Sequence, residues 1–245
     1  MNKKKINVTH TNILDIEAPE YLKKRIKSGI PFWDSVLGGG FVPSTTMLLS
    51  GEPGAGKTTL AAQVADGLSK RENLVLFNSI EQTEDQIADL ADRLKLKTGF
   101  LFERYDSPYD VMLHCQLLQE QYPDKQIFAF VDSLSDMANG SRSAAEKILK
   151  SFIDFCQDTK IIGLFIVHLT KGGTFAGNQS MLHKADSYFH MEVMNADDDD
   201  GMRILHAKKH RFGKKSTSLL CLTDEGHKHP DEVNSSAKLD ISEEF

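Results

Sequence analysis

Long apolar runs are missing from this chain of 245 residues: no stretch of about 18 apolar residues occurs, so no segment reads as a membrane span. Met1 to His10 is polar and basic with no apolar stretch behind it, which argues against a secretory signal and gives a cytoplasmic expectation. Cysteine is scarce. Cys115, Cys156 and Cys221 stand far apart with no Cys-x-x-Cys pair, so neither a zinc ribbon nor a disulfide framework is indicated, and buried reduced thiols are expected. A surplus of positive charge is also lacking, since the formal net charge is −6. From Asp224 onward seven acids face only Lys228 and Lys238, a net of −5, which leaves the rest near neutrality. Any nucleic-acid contact must therefore be a local loop or channel lining and not a broadly basic surface. No internal repeat is visible, and 40% hydrophobic content is ordinary for one folded domain.

Against these absences one motif stands complete. Gly51, Glu52, Pro53, Gly54, Ala55, Gly56, Lys57 and Thr58, continued by Thr59, form a Walker A phosphate loop after the strand-like run Thr45 to Ser50 and before a helical pattern. Its glycines let the backbone curl so that successive N–H groups face an anion. Lys57 is placed to reach the β and γ phosphates of ATP, Thr58 to hold Mg²⁺, and the next helix points its positive end at the anion. A glycine-rich turn is the alternative, made weak by the flanking strand and helix.

The surrounding pattern is that of an alternating α/β chain. Thr45 to Ser50, Leu74 to Asn78, Ile127 to Val131 and Ile161 to Val167 are short apolar runs suited to doubly buried strands. Between them, Thr83 with Gln86 reads as a capping box, Ser107-Pro108 as a second helix start, and Ser143 with Glu146 as a third. This order predicts a mostly parallel central sheet with helices on both faces. Ser187 to Met194, Met202 to Lys208 and Ser216 to Leu222 add antiparallel carboxyl-terminal strands, the first two joined by the acidic turn Asp197 to Gly201. The expected divisions are a basic leader at 1–28, whose second half, Tyr21 to Lys27, reads as a solvated segment with a short helix as the alternative, an ATPase domain at 29–226, and an acidic tail at 227–245. The tail's composition suggests disorder and a protein partner.

Two acids sit where the reaction would be read. Asp132 closes the run Ile127 to Val131, the Walker B arrangement for holding Mg²⁺, with a helix-cap acid as the alternative. Glu81 lies just past Leu74 to Asn78, where a carboxylate could polarise water or simply be an exposed first-turn acid.

These blocks, together with Gly29-Ile30-Pro31, Leu37-Gly38-Gly39-Gly40, Phe130-Val131-Asp132-Ser133, His168-Leu169-Thr170-Lys171, Ala176-Gly177, His183, Asp186 and Lys209-His210-Arg211-Phe212-Gly213, resemble the RecA-like P-loop ATPases. Among these the likeness is greatest to the ATPase core of the RadA/Sms DNA-repair family, whose Lys-Asn-Arg-Phe-Gly signature appears here with His210 in place of Asn. The resemblance implies a catalytic glutamate at Glu81, a Walker B aspartate at Asp132, and a γ-phosphate-sensing group at His168. It also implies trans-acting fingers at Lys209 and Arg211, hence a ring, hexameric by expectation, or a filament. Single-stranded DNA would meet loops at Ser133 to Ser143 and Lys171 to Lys184, with Arg142, Lys171 and Lys184 for its phosphates. In each case a structural role is the bland alternative.

The chain also departs from that pattern. The family's four-cysteine zinc finger and Lon-like domain have no counterpart in these residues. Ser44 stands where the family has Gly, Gln82 replaces a Glu, and Asn178-Gln179 replaces a Pro followed by a basic residue. A KaiC-like regulatory ATPase is the main rival reading. A small-molecule kinase is disfavoured because no arginine-rich lid is visible.

Overall fold

A computed structural model describes residues 12–168, 179–194 and 201–233. The elements in order are α1 (Pro31–Val36), β1 (Thr46–Gly51), α2 (Lys57–Ser69), β2 (Leu74–Ser79), α3 (Glu84–Arg93), β3 (Leu101–Glu103), α4 (Pro108–Gln121), β4 (Ile127–Asp132), α5 (Leu134–Met137), α6 (Arg142–Thr159), β5 (Ile162–His168), α7 (Gln179–Lys184), β6 (Ser187–Val193), β7 (Met202–His210), β8 (Thr217–Thr223) and β9 (Gly226–Lys228). Among the described residues nine strands form one sheet in the order β3-β2-β4-β5-β1-β6-β7-β8-β9. The pairs from β3 across to β6 are parallel, and β6 to β9 are antiparallel. The four apolar runs are its central strands, buried on both faces as continuous Val, Ile, Leu and Phe runs must be. One face packs on α1 and α2 through Trp33, Leu60 and Val64, the other on α4 and α6 through Val111, Leu149 and Phe152. Among the described residues no helix is long and apolar enough to cross a membrane.

Parallel register does the positioning work. Ser79 of β2 lies opposite Asp132 of β4, and Gly51 of β1 lies opposite His168 of β5. The phosphate loop, Asp132, Glu81 and His168 therefore leave one edge of the sheet, where ligands of open α/β sheets bind.

Several local readings are corrected. The leader is not simply solvated: Ile26 is buried and exchanges backbone hydrogen bonds with Phe41, 2.9 and 2.8 Å. Asp34 accepts from Ser28 N and Oγ, each 2.8 Å, and from Gly29 N, 2.9 Å. At the other end His227 is 2% exposed within β9, so the packed unit reaches beyond 29–226 on both sides. The segment after Asp132 is a folded turn of helix and not an open loop, because Leu134, Met137 and Ala138 are buried. Helix α6 starts at Arg142 with Ser141 as its cap, two residues before the expected Ser143. The Thr83–Gln86 capping box is present. β3 and β9, three residues each, are too short for periodicity to reveal. Cys115 and Cys156 are buried thiols, with burial pushing Cys115 up to about 12, whereas Cys221 is only half-buried. β6 and β7 pair antiparallel as a hairpin requires, but most of the expected turn, residues 195–200, lies outside the described residues.

Ser44, the family's glycine position, has φ +70°, a left-handed conformation that a side chain normally resists. Its hydroxyl donates to the carbonyls of Cys156 and Gln157, both 3.2 Å, which offsets the strain with local bonds.

Asp66 ties α2 to the turn before β3. Its Oδ1 accepts from the backbone N–H of Lys97, Thr98 and Gly99 at 3.0, 2.7 and 2.9 Å, and Oδ2 lies 3.2 Å from Lys70 Nζ. Burial alone would raise this carboxyl's pKa, but the Gly99 and Thr98 bonds and Lys70 outweigh it and hold the group below its usual range. Asp66→Ala should lower urea stability by about 2 to 4 kcal/mol by orphaning three backbone donors, and Asp66→Asn by less. Because the folded pKa is depressed, the contribution is full above the unfolded value and disappears as pH falls through the folded one. An unchanged urea midpoint for Asp66→Ala would contradict this anchor.

Candidate nucleotide site

The phosphate loop begins inside β1 and ends in the first turn of α2, so a buried strand fixes one end and a 13-residue helix the other. Glu52, Pro53 and Gly54 are exposed at the crest, Ala55 is buried, and Ala55 N–H donates to Glu52 O at 3.2 Å. Gly54 and Gly56 have φ of +78° and +85°. A Cβ on Gly54 would meet nothing within 4 Å, so the crest opens onto solvent, whereas at Gly56 it would run into His227. Gly56 is also the cap of α2, whose first N–H groups face the cradle without a side-chain acceptor.

Lys57 is buried, and its ammonium donates to Gly51 O at 3.1 Å and Glu52 O at 3.0 Å. Burial lowers its pKa, while Asp132 and Glu81 pull it back up. Thr58 donates to Asp132 Oδ2 at 2.6 Å, joining β4 to α2. Thr59 is buried on the same helix. Asp132 is 2% exposed, and its Oδ1 is buried without a hydrogen-bond partner among the described residues. A buried carboxylate oxygen lacking a donor, beside a threonine hydroxyl and an anion cradle, is a hard-oxygen donor set that fits Mg²⁺. Burial first, and the nearby Glu81, push the Asp132 carboxyl up to about 6, against the pull of Thr58, His168 and Lys57.

Glu81 and His168 flank this centre. Glu81 is exposed just past β2, and its Oε2 lies 3.4 Å from His168 Nε2. His168 ends β5 and bonds to Asp136 of α5 at 3.1 Å. Asp136 escaped sequence reasoning because its segment reads as a loop. His227 escaped because acidic composition dominates the tail. Its Nε2–H donates to Gly56 O at 3.0 Å, its backbone N–H donates to Gln63, and burial lowers its pKa to about 4, keeping it neutral. Arg203 of β7, also buried, reaches Gly54 O at 3.4 Å. The carboxyl-terminal strands thus prop the underside of the phosphate loop.

The two expected fingers lie away from this chain's own loop. Lys209 donates to the carbonyls of Leu182, His183 and Ala185 at 3.2, 2.6 and 2.6 Å, capping the end of α7. Arg211 pairs with Asp186 at 2.7 Å while its side chain stays 52% exposed. His210 accepts from Ser187 Oγ at 2.7 Å and donates to Leu37 O at 2.9 Å, a bridge that uses both ring nitrogens. Of the expected DNA-facing cations, Arg142 is exposed at the start of α6, Lys184 lies 3.7 Å from Glu146, and Lys171 lies outside the described residues.

Known proteins sharpen this picture. A family profile described as "ATPase: KaiC" matches residues 26–108. The DNA repair protein RadA of Bacillus subtilis is 34% identical over 209 residues, covering 82% of this chain and 43% of that protein. RadA of Haemophilus influenzae is 34% identical over 210 residues, covering 82% and 44%. The chain has the fold of the KaiC-like, RecA-type ATPase domains that it resembles. It spans less than half the length of these RadA relatives. Among solved structures, the ATPase domain of G40P superposes with a TM-score of 0.73 at 14% identity, covering 84% of this chain and 91% of that one. A DnaB-like replicative helicase gives 0.70 at 15% identity, covering 82% and 61%. At these identities the likeness is one of fold, and it includes the mostly parallel sheet with its antiparallel extension.

The raised Asp132 pKa makes a prediction with a definite sign. Below the ordinary carboxyl pKa both states are protonated and nothing is lost. Above about 6 the folded protein holds a buried charge that the unfolded chain solvates, so Asp132 costs stability at neutral pH. Asp132→Asn should therefore raise the apo protein's stability at pH 8 by about 1 to 3 kcal/mol, an advantage that fades below pH 4. Thermal melts without nucleotide or divalent ions test this. A variant that melts at or below the parent at pH 8 would contradict it.

Proposed function

We propose that this chain is a Mg²⁺-dependent ATP hydrolase that couples turnover to single-stranded DNA binding, translocation or remodelling in repair, recombination or replication. The observation that carries the reading is the Thr58–Asp132 bond beside the phosphate loop, with Glu81 leaving the same sheet edge. Bound Mg²⁺ would neutralise phosphate charge and polarise the bond to be broken. Thr58 and Asp132 would hold it. Backbone N–H groups of the loop and the Lys57 ammonium would bind the phosphates, and Glu81 would orient water and accept its proton. His168 would report the γ phosphate to the segments that follow β4 and β5.

The DNA-facing groups in this proposal are Arg142, Lys184 and Lys171. The chain would act as a self-assembled ring, hexameric by expectation, or as a filament, in the cytoplasm. Arg211 is the finger proposed to reach a neighbour's nucleotide, because half its side chain is exposed, and Lys209 would steady that strand end. The acidic segment that follows β9 would contact a protein partner. A second reading, a KaiC-like regulatory ATPase without DNA, is favoured by the family profile and by the folded state of the segment after Asp132.

Lys57→Ala should abolish turnover, and Glu81→Gln should lower kcat by about 10² to 10⁴ while nucleotide still binds. Single-stranded DNA should stimulate hydrolysis several-fold, and Arg142→Glu should blunt that stimulation. Steady-state hydrolysis with and without DNA measures the rates, and binding of a fluorescent ATP analogue checks that Glu81→Gln still takes up nucleotide. Robust hydrolysis indifferent to DNA would move the assignment to the regulatory reading.

A further inference from the structure

We infer that Asp136 is a positioning residue for hydrolysis: it holds the His168 imidazole on helix α5 and so keeps the Glu81 carboxylate available to water. This rests on the reading of Glu81 as the base and deepens it. His168 Nε2 lies between two carboxylates, 3.1 Å from Asp136 Oδ2 and 3.4 Å from Glu81 Oε2, and the three side chains offer polar atoms within 4.8 Å of one another. Ionised carboxylates only accept, and Nε2 carries one hydrogen whether the ring is the neutral tautomer that donates here or the imidazolium. One good bond is available for two acceptors. The shorter distance, inside the ordinary N–H···O range, goes to Asp136.

The local structure explains why Asp136 wins. Ser133 caps α5 by accepting from Asp136 N–H at 3.2 Å, and its hydroxyl donates back to the Asp136 carboxylate, fixing that side chain. His168 N–H donates to Ser135 Oγ at 3.1 Å. The end of β5 is therefore fastened to α5 through both backbone and ring, and α5 is seated by buried Leu134 and Met137. Glu81 has no such support. Its side chain is half exposed, and among the described residues His168 is its only ion-pair partner.

Removing the Asp136 carboxylate leaves Glu81 as the acceptor facing Nε2–H. A lone pair of Glu81 would then be occupied by imidazole instead of by water, and its basicity would fall. Ser135 and Asp136 also begin the segment that leads to Arg142, so the imidazole's choice of acceptor links the hydrolytic edge to that segment.

Steady-state ATP hydrolysis of the full chain without DNA, alongside binding of a fluorescent ATP analogue, tests the inference. Asp136→Ala should lower kcat by about tenfold, with KM and analogue affinity unchanged. Asp136→Asn keeps an acceptor oxygen and should stay within about threefold of the parent. The double variant Asp136→Ala with His168→Ala should turn over faster than Asp136→Ala alone, since the competing donor is gone. With Glu81→Gln inactive, parental turnover in Asp136→Ala, or a double variant no faster than Asp136→Ala, overturns the positioning role. Parental turnover in Glu81→Gln instead overturns the assignment of the base.

Discussion

A carboxylate buried at the end of a central strand must be neutralised, hydrogen-bonded or metal-bound, and Asp132 is the point at which this fold meets that requirement. One oxygen is satisfied by Thr58 and the other has no donor among the described residues. The bond to Thr58 joins the two halves of the site, because Thr58 belongs to the helix that opens at the phosphate loop and Asp132 to a strand two places away in the sheet. Stability alone would favour an apolar residue or an amide there, so the charge makes sense as a ligand. Lys57, close enough to feel both Asp132 and Glu81, supplies part of the compensating field.

The rest of the sheet serves that edge. Parallel register sets Gly51 opposite His168 and Ser79 opposite Asp132, so the phosphate loop, Asp132, Glu81 and His168 emerge at one end of the sheet. The antiparallel extension reinforces the loop from below. His227 and Arg203 give hydrogen bonds to the carbonyls of Gly56 and Gly54, which fixes the Gly56–Lys57 and Gly54–Ala55 peptide planes. On the other flank, Asp186 accepts from Thr46 N–H at 2.9 Å and pairs with Arg211, fastening the start of β1 to the end of β7. The strands that look like an appendage are part of what orients the phosphate loop.

The central strands, the phosphate loop and the Thr83 cap were legible because each depends on local pattern: doubly buried apolar runs, glycine at fixed spacing, hydroxyl and amide three residues apart. The RecA-like likeness likewise rested on contiguous blocks. What escaped depends on contacts distant in sequence. Ile26 joins the core through Phe41, and His227 matters only because β9 folds back beneath Gly56. Asp136 looks like a loop acid until β5 delivers His168 to it. Composition misled at both ends, since charged surroundings hid one buried apolar residue and one buried imidazole. Short strands escaped for a simpler reason: three residues show no period.

The proposed activity requires Thr58 and Asp132 to form a metal-assisted nucleotide site with the phosphate loop. Calorimetric titration of a non-hydrolysable ATP analogue, with Mg²⁺ and with EDTA, addresses it most directly. The expected result is one analogue bound per chain in Mg²⁺, with affinity falling at least tenfold in EDTA and in a Thr58→Ala, Asp132→Asn double variant. Equal affinity with and without Mg²⁺, or a double variant that binds like the parent, would contradict the account.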